Sequence, residues 1–259
     1  MNLPLRLQPF GEAATATAYA PYFATGAYDR RYPRPNPTVL RLIRRLLAPG
    51  GHVIDYGCGS GRYLLPLAGR AGIAAGFDIC PAALVRLRGA APAGLVVLGP
   101  DADAVAGHVA RHGPADLVLC LFGVLSHVEG RDARQRLLRR LHSLLRPESG
   151  RLVLSVPNRH RRFRALQRQV AGRDEIRYVR RFSEGAVELP YKLYDPRALA
   201  ADLAAAGFAV ERLAAESLFP ETAVARSPVL RTLDRLVAPL LPVAQGYGLV
   251  AVARPEPRQ

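Results

Sequence analysis

The chain has 259 residues, 49% apolar and 22% charged. That balance excludes general disorder, and the length suits one large domain with insertions better than two domains. Lys plus Arg is 36 against 21 Asp plus Glu, a net charge of +15, and Lys192 is the only lysine. A skew of this kind, with abundant Ala, Leu, Gly and Pro, also follows from GC-rich coding, so charge alone assigns no nucleic-acid partner.

Cys58, Cys80 and Cys120 are too few and too widely spaced for a disulfide framework or a zinc site. They read as buried fillers in a reducing compartment, and no metal is expected. The opening MNLPLRLQPF lacks a basic stretch followed by an apolar one, so no secretory leader is expected and a cytoplasmic location is inferred. The apolar stretch Leu236–Ala253 is interrupted by Pro239, Pro242, Gln245, Gly246 and Gly248. A spanning helix wants about 20 uninterrupted apolar residues, so the stretch is read as a helix end, a turn and a strand.

In chain order, residues 1–35 lack a strong period and read as an appended arm. Tyr19, Tyr22, Phe23, Tyr28 and Tyr32 crowd its second half. They would anchor the arm or form an aromatic lid. Asn36-Pro37 predicts a helix start, followed by apolar residues at helical spacing. HVIDY (52–56) predicts a first strand, with a helix after it that Pro66 would disturb. IAAGFD (73–78), LVVLG (95–99), ADLVLCLF (115–122) and RLVLSVP (151–157) predict four more strands. Continuous apolar runs belong to sheets buried on both faces, and 15–30-residue connections suit parallel crossovers. A leucine stripe over 137–145 predicts a helix with Arg134, Arg139 and Arg140 mostly outside the stripe. No clean strand is evident in 159–194. Asp195-Pro196 opens another helix that Gly207 closes. FAVERLAAESLF (208–219) and GYGLVAVAR (246–254) predict a late strand pair at one edge, flanking a helical stretch near 228–241. The expected fold is α/β: a doubly wound, mostly parallel seven-stranded sheet with helices on both faces. Four regions are expected: an arm (1–35), a ligand-binding core (36–158), a basic insertion after the fifth strand (159–194) and a C-terminal completion of the fold (195–259).

The sharpest motif is Asp55-Tyr56-Gly57-Cys58-Gly59-Ser60-Gly61, at the end of the first strand. Glycines at alternate positions let backbone approach a ligand closely. The spacing is not the G-x-G-x-x-G that seats a pyrophosphate, which disfavours an NAD enzyme. Asp55 suits a cationic amino-acid tail. Asp78, at the end of the second strand, suits both hydroxyls of a ribose. Together they ask for a nucleoside with an ammonium group and no phosphate, a description that S-adenosylmethionine fits.

VIDYGCGSGR, GFDICP, GPDADAV, ADLVLCLFGVLSHV and LLRPESGRLVLSVPN, in that order, resemble the successive motifs of class I S-adenosylmethionine-dependent methyltransferases. The resemblance covers 37–158 closely and 195–254 loosely. It implies that Asp55, Gly57 and Gly59 line the methionine portion, with Tyr56 and Cys58 contributing backbone. Asp78 would hold the ribose, and Ile79 would pack on the adenine. Asp101-Ala102, preferred over the register Asp103-Ala104, would meet the adenine edge, and Leu121 and Phe122 would flank the sulfonium. Glu148-Ser149-Gly150 replaces the family's usual Gly-Gly before the fifth strand.

Methyl transfer from a sulfonium chiefly needs alignment and exclusion of water. A base matters only for a hydroxyl or protonated amine, and His127, beyond the fourth strand, is the candidate. The bland alternative is a histidine that supports its loop. Residues 159–181 hold nine arginines against Asp174 and Glu175. They read as a cap for an anionic acceptor or as a solvated face. The first expectation is a small acceptor, anionic or lipid-like, methylated at O, N or C. An RNA (tRNA) methyltransferase using the basic segment and a non-catalytic cofactor-binding scaffold are the alternatives. The leucines of 227–244 read as core or a dimer face, and less well as a membrane contact. The oligomeric state stays open.

Overall fold

A computed structural model describes residues 12–170, 174–182 and 185–256. The chain runs α1 (Glu12–Ala24), α2 (Ala27–Arg31), α3 (Pro37–Leu46), β1 (His52–Tyr56), β2 (Ile73–Phe77), α4 (Pro81–Ala90), β3 (Leu95–Val97), α5 (Ala102–His112) and β4 (Leu117–Cys120). It continues with α6 (Arg131–Ser143), β5 (Arg151–Pro157), α7 (Arg164–Gln169), β6 (Glu175–Phe182), β7 (Gly185–Lys192), α8 (Pro196–Ala205), β8 (Phe208–Ser217), α9 (Glu221–Arg226), α10 (Pro228–Val237) and β9 (Gly248–Pro255).

Seven strands form one sheet in the order β3-β2-β1-β4-β5-β9-β8. β9 is antiparallel to both its neighbours, and the other pairings are parallel. Alternate residues serve opposite faces. Ile54, Val118, Leu152 and Leu154 pack with α6 and α8 through Leu138, Leu141, Leu199 and Leu203. Val53, Leu117, Leu119 and Val153 pack with α3 and α4 through Val39, Ile43, Leu84 and Leu87. Both faces are covered, which is why the inner strands are apolar throughout. The strand order brings the carboxyl ends of β1, β2, β4 and β5 to one edge.

The predicted caps form: Asn36 Oδ1 accepts from Thr38 N and Val39 N, and Asp195 Oδ1 from Ala198 N. The arm is helical in its described part. Three expectations need correction. After the glycine motif there is a turn and a short 3-10 helix (Leu65–Leu67) with Pro66 in its first turn, not an α-helix. Arg134 is buried, its guanidinium donating to Val128 O and pairing with Glu175 Oε1 at 2.6 Å. Residues 175–192 form a β-hairpin separate from the main sheet, with Ile176 opposite Tyr191 and Tyr178 opposite Leu189. Its arginines obscure the apolar alternation. On the outer side of α10 and the turn after it, Val229, Leu233, Leu236 and Leu240 are exposed. Among the described residues no helix is long and apolar enough to cross a membrane.

Candidate active site

The carboxyl ends of β1, β2 and β4 open into a cavity of about 550 Å3. Its floor is the turn after β1. Gly57 there takes φ +83°, where a side chain is strained. A Cβ on it would also lie 2.4 Å from Val124 Cγ2. Gly57 N and Cys58 N both donate to Phe77 O, at 2.8 and 2.9 Å, clamping the turn to the end of β2. Asp78 closes the arrangement: Oδ2 accepts from Gly59 N and Oδ1 from Cys80 N, each at 2.8 Å. The glycine motif and the second acid, 19 residues apart, therefore meet in one hydrogen bond.

Gly57, Gly59, Tyr56, Asp78, Ile79, Leu121, Phe122 and His127 line the cavity, whereas Asp55 and Cys58 lie behind its wall. Burial, and then the charge of Asp78, push the Asp55 carboxyl up to about 8. Burial also raises Asp78, against the lowering effect of its two N–H donors. Desolvated carboxylates beside a cavity favour a cationic ligand there. Asp101 and Ala102 stand apart from the wall. Asp101 is exposed and caps α5, accepting from Asp103 N at 3.0 Å. All three cysteines are buried and their thiols are held in the neutral form, Cys120 at about 12. They are fillers, not nucleophiles.

Beyond β4 the backbone turns sharply. Phe122 has φ +62°, an uncommon state for an aromatic residue, held by its N–H donating to Ser155 Oγ at 2.8 Å. Gly123 N donates to Ser155 O, and a single 3-10 turn (Leu125–His127) presents His127 to the cavity. His127 Nε2 lies 2.9 Å from the Tyr19 hydroxyl. Its ring lies 4.7 Å from Tyr191 and 6.2 Å from Tyr178. The hairpin thus supplies one aromatic wall and the arm another.

The arm is fastened to the glycine turn. Asp29 accepts from Ser60 Oγ at 2.5 Å and pairs with Arg86 of α4 at 2.5 Å. Phe23 and Tyr28 lie 4.7 Å apart between ring centres and pack on Cys80 and Ala83. Arg62, just past the glycines, pairs with Glu221 at 2.8 Å and donates to Arg34 O. Its guanidinium sits 4.8 Å from the Phe122 ring. Sequence reasoning passed over Asp29, Arg62, Ser155, Tyr178 and Tyr191, and took Arg162 only as one of the nine arginines of the basic segment. Their partners are mostly remote in the chain, and no spacing signals them.

Three arginines of the basic segment are engaged within the protein. Arg159 faces Asp195 at 3.8 Å, Arg161 donates to Gln245 O and Leu218 O, and Arg177 meets Glu129 at 3.0 Å. Arg164 and Arg168 are exposed.

A family model described as a methyltransferase domain matches residues 28–213. The chain belongs to the class I S-adenosylmethionine-dependent methyltransferase family. Its fold is shared with solved methyltransferase structures. One is a SAM-dependent methyltransferase from Anabaena variabilis (16% identity, TM-score 0.64), covering 99% of this chain and 100% of that one. Another is the CcbJ methyltransferase from Streptomyces caelestis (17% identity, TM-score 0.60), covering 96% and 100%. A third is DhpI in complex with S-adenosylhomocysteine (15% identity, TM-score 0.60), covering 95% and 99%. A comparison with curated protein sequences finds no match. The methyl donor of this methyltransferase is S-adenosylmethionine.

Proposed function

We propose that this methyltransferase acts on a metabolite-sized acceptor, with His127 as proton acceptor when the methylated atom is a hydroxyl oxygen or an amine nitrogen. The observation that carries the reading is the His127–Tyr19 contact, 2.9 Å long, in the wall of the cavity that Asp78 and the glycine turn also line. When bound, S-adenosylmethionine supplies a methyl group already activated on a cationic sulfur. The chain's own groups do the rest. Asp78 is oriented by two backbone N–H groups and keeps lone pairs for the ribose hydroxyls. Gly57 and Gly59 bring backbone to the methionine portion, and the Asp55 carboxyl behind them adds a negative field. Ile79 packs on the adenine, and Leu121 and Phe122 flank the sulfonium. Asp101, exposed and engaged in its helix cap, has no part in this assignment. The arm and the 175–192 hairpin exclude water from the reacting atoms. Tyr19 orients the His127 ring and extends its path for the departing proton.

Labelled methyl transfer to a cell extract split into metabolite and RNA fractions tests this. Label is expected in the metabolite fraction. His127→Ala should lower that rate by about 100- to 10,000-fold, the usual worth of a positioned base, with S-adenosylhomocysteine affinity unchanged. Label confined to RNA, with binding that falls steeply in salt, would replace this reading with the nucleic-acid one. A His127→Ala rate equal to that of the native chain would remove the base.

A further inference from the structure

Resting on that reading, we propose that Arg162 anchors the acceptor: the molecule methylated here carries an oxyanion, a carboxylate or a phosphate-type group, that pairs with the Arg162 guanidinium while its reacting atom faces His127. Arg162 lines the cavity. Its backbone is fixed by a tight turn after β5, in which Arg162 N donates to Asn158 O at 3.0 Å. Asn158 is itself buried and tied to Ala244 O and Gly246 O. The guanidinium lies 5.2 Å from the Phe163 ring, 5.8 Å from Tyr191 and 5.1 Å from Tyr247. Stacking on rings holds a guanidinium in place while its edge N–H donors stay available for a bidentate oxyanion.

No described carboxylate pairs with this charge. Arg62, Arg134, Arg159 and Arg177 each have a carboxylate, and Arg161 has two carbonyls. The Arg162 side chain makes no hydrogen bond or ion pair with any described residue. The acid that most affects it from behind the wall is Glu216. Burial, and then the neighbouring Glu221, raise the Glu216 carboxyl against the lowering effect of Arg62 and Arg162, and Glu216 makes no ion pair with Arg162. Of the two acids that line the cavity, Asp78 belongs to the β2 end and Glu129 is paired with Arg177. A cation partly out of water and without a counter-charge is costly, and an anionic ligand offsets that cost.

The same wall joins the two groups. The Tyr191 ring touches both groups, 4.7 Å from His127 and 5.8 Å from Arg162. An acceptor that meets both groups runs along that ring, and Tyr178 and Phe163 stand beside it, 5.3 and 5.6 Å from Tyr191 between ring centres.

Benzoate, phenyl phosphate and neutral benzamide are the probes, each titrated into full-length protein saturated with S-adenosylhomocysteine. At least one of the two anions should bind tenfold or more tightly than benzamide. Which of them does so distinguishes carboxylate from phosphate chemistry. Arg162→Gln should abolish the preference and leave S-adenosylhomocysteine affinity unchanged. Arg162→Lys should keep part of it, which a purely structural role would not predict. Should Arg162→Gln fail to fold, the comparison of probes on the native chain still decides. Equal binding of anions and amide, or a preference that survives Arg162→Gln, overturns the proposal. Loss of S-adenosylhomocysteine binding by the native chain would overturn the cofactor placement instead.

Discussion

Asp78 carries two obligations at once, since each oxygen already holds a backbone N–H. Asp78→Ala removes those bonds and any to a ribose. Hydrogen bonds to a charged group are worth about 1.5–3 kcal/mol, so calorimetry should show S-adenosylhomocysteine affinity falling by about 10- to 100-fold. Unchanged affinity would put the ribose elsewhere. Asp55 makes a pH prediction. Its carboxyl sits at about 8 in the folded chain against 3.8 in the unfolded one. A raised acid contributes stability in acid that is lost as pH rises through the folded value. The unliganded Asp55→Asn variant should therefore gain on the native chain in thermal unfolding as pH climbs from about 4 to about 8, and gain no more above that. A bound cation favours the ionised form, so S-adenosylmethionine should displace protons from the native chain near neutrality. The calorimetric signal should depend on buffer ionisation less in Asp55→Asn. Equal proton release from both would remove Asp55 from the account.

At the scale of elements, the glycine turn is a steric fit between two loops. Gly57→Ala adds a Cβ into Val124 and a strained φ; inverted backbone costs about 1–2 kcal/mol and overpacking about 1–3 kcal/mol. Thermal unfolding should show the combined loss, and Gly57→Ala with Val124→Ala should recover only the packing part. No recovery would mean that backbone strain dominates. On the opposite edge of the sheet, His52 Nε2 and His108 Nε2 meet at 3.0 Å, linking β1 to α5. Burial holds both below the usual histidine range, His108 at about 4. Between about pH 6.5 and 4 the unfolded chain binds more protons, so stability falls with acidification there, and His108→Leu should flatten that slope in urea unfolding. These two cases also show what a sequence discloses. The five parallel strands were legible because burial on both faces leaves no polar alternation to confuse them. The glycine turn, Asp78 and His127 were legible because strand ends fix where a ligand sits. The hairpin was not, since Arg177 separates Ile176 from Tyr178 and leaves little apolar run. The helix expected after Gly61 gave way to a turn and a 3-10 helix around Pro66. Asp29 acquires meaning only from partners brought near by the fold, and only the fold sets Arg162 apart from the other arginines of its segment.

The whole molecule is a sheet with two added walls, one before it in sequence and one within it. The arm's Phe23 and Tyr28 are buried against α4, and fully burying such a ring is worth about 1.5–3 kcal/mol. Removing residues 1–31 should lower the melting temperature, keep the sheet's circular dichroism and speed S-adenosylhomocysteine release by at least about tenfold, as read by stopped flow; each 1.4 kcal/mol of lost contact is a factor of ten. Release at the native rate would show that the arm does not cover the ligand.

The contact between Tyr19 and His127 joins positions 108 residues apart, whereas the bonds from Asp29 to Ser60 and Arg86 span 31 and 57. α1 is made before every strand of the sheet, yet its docking surface is incomplete until the β7 strand has emerged. A growing chain must therefore carry Tyr22, Phe23 and Tyr28 uncovered until α4 is made, and Tyr19 until His127 follows, as sticky rings that a chaperone would meet before the pocket exists.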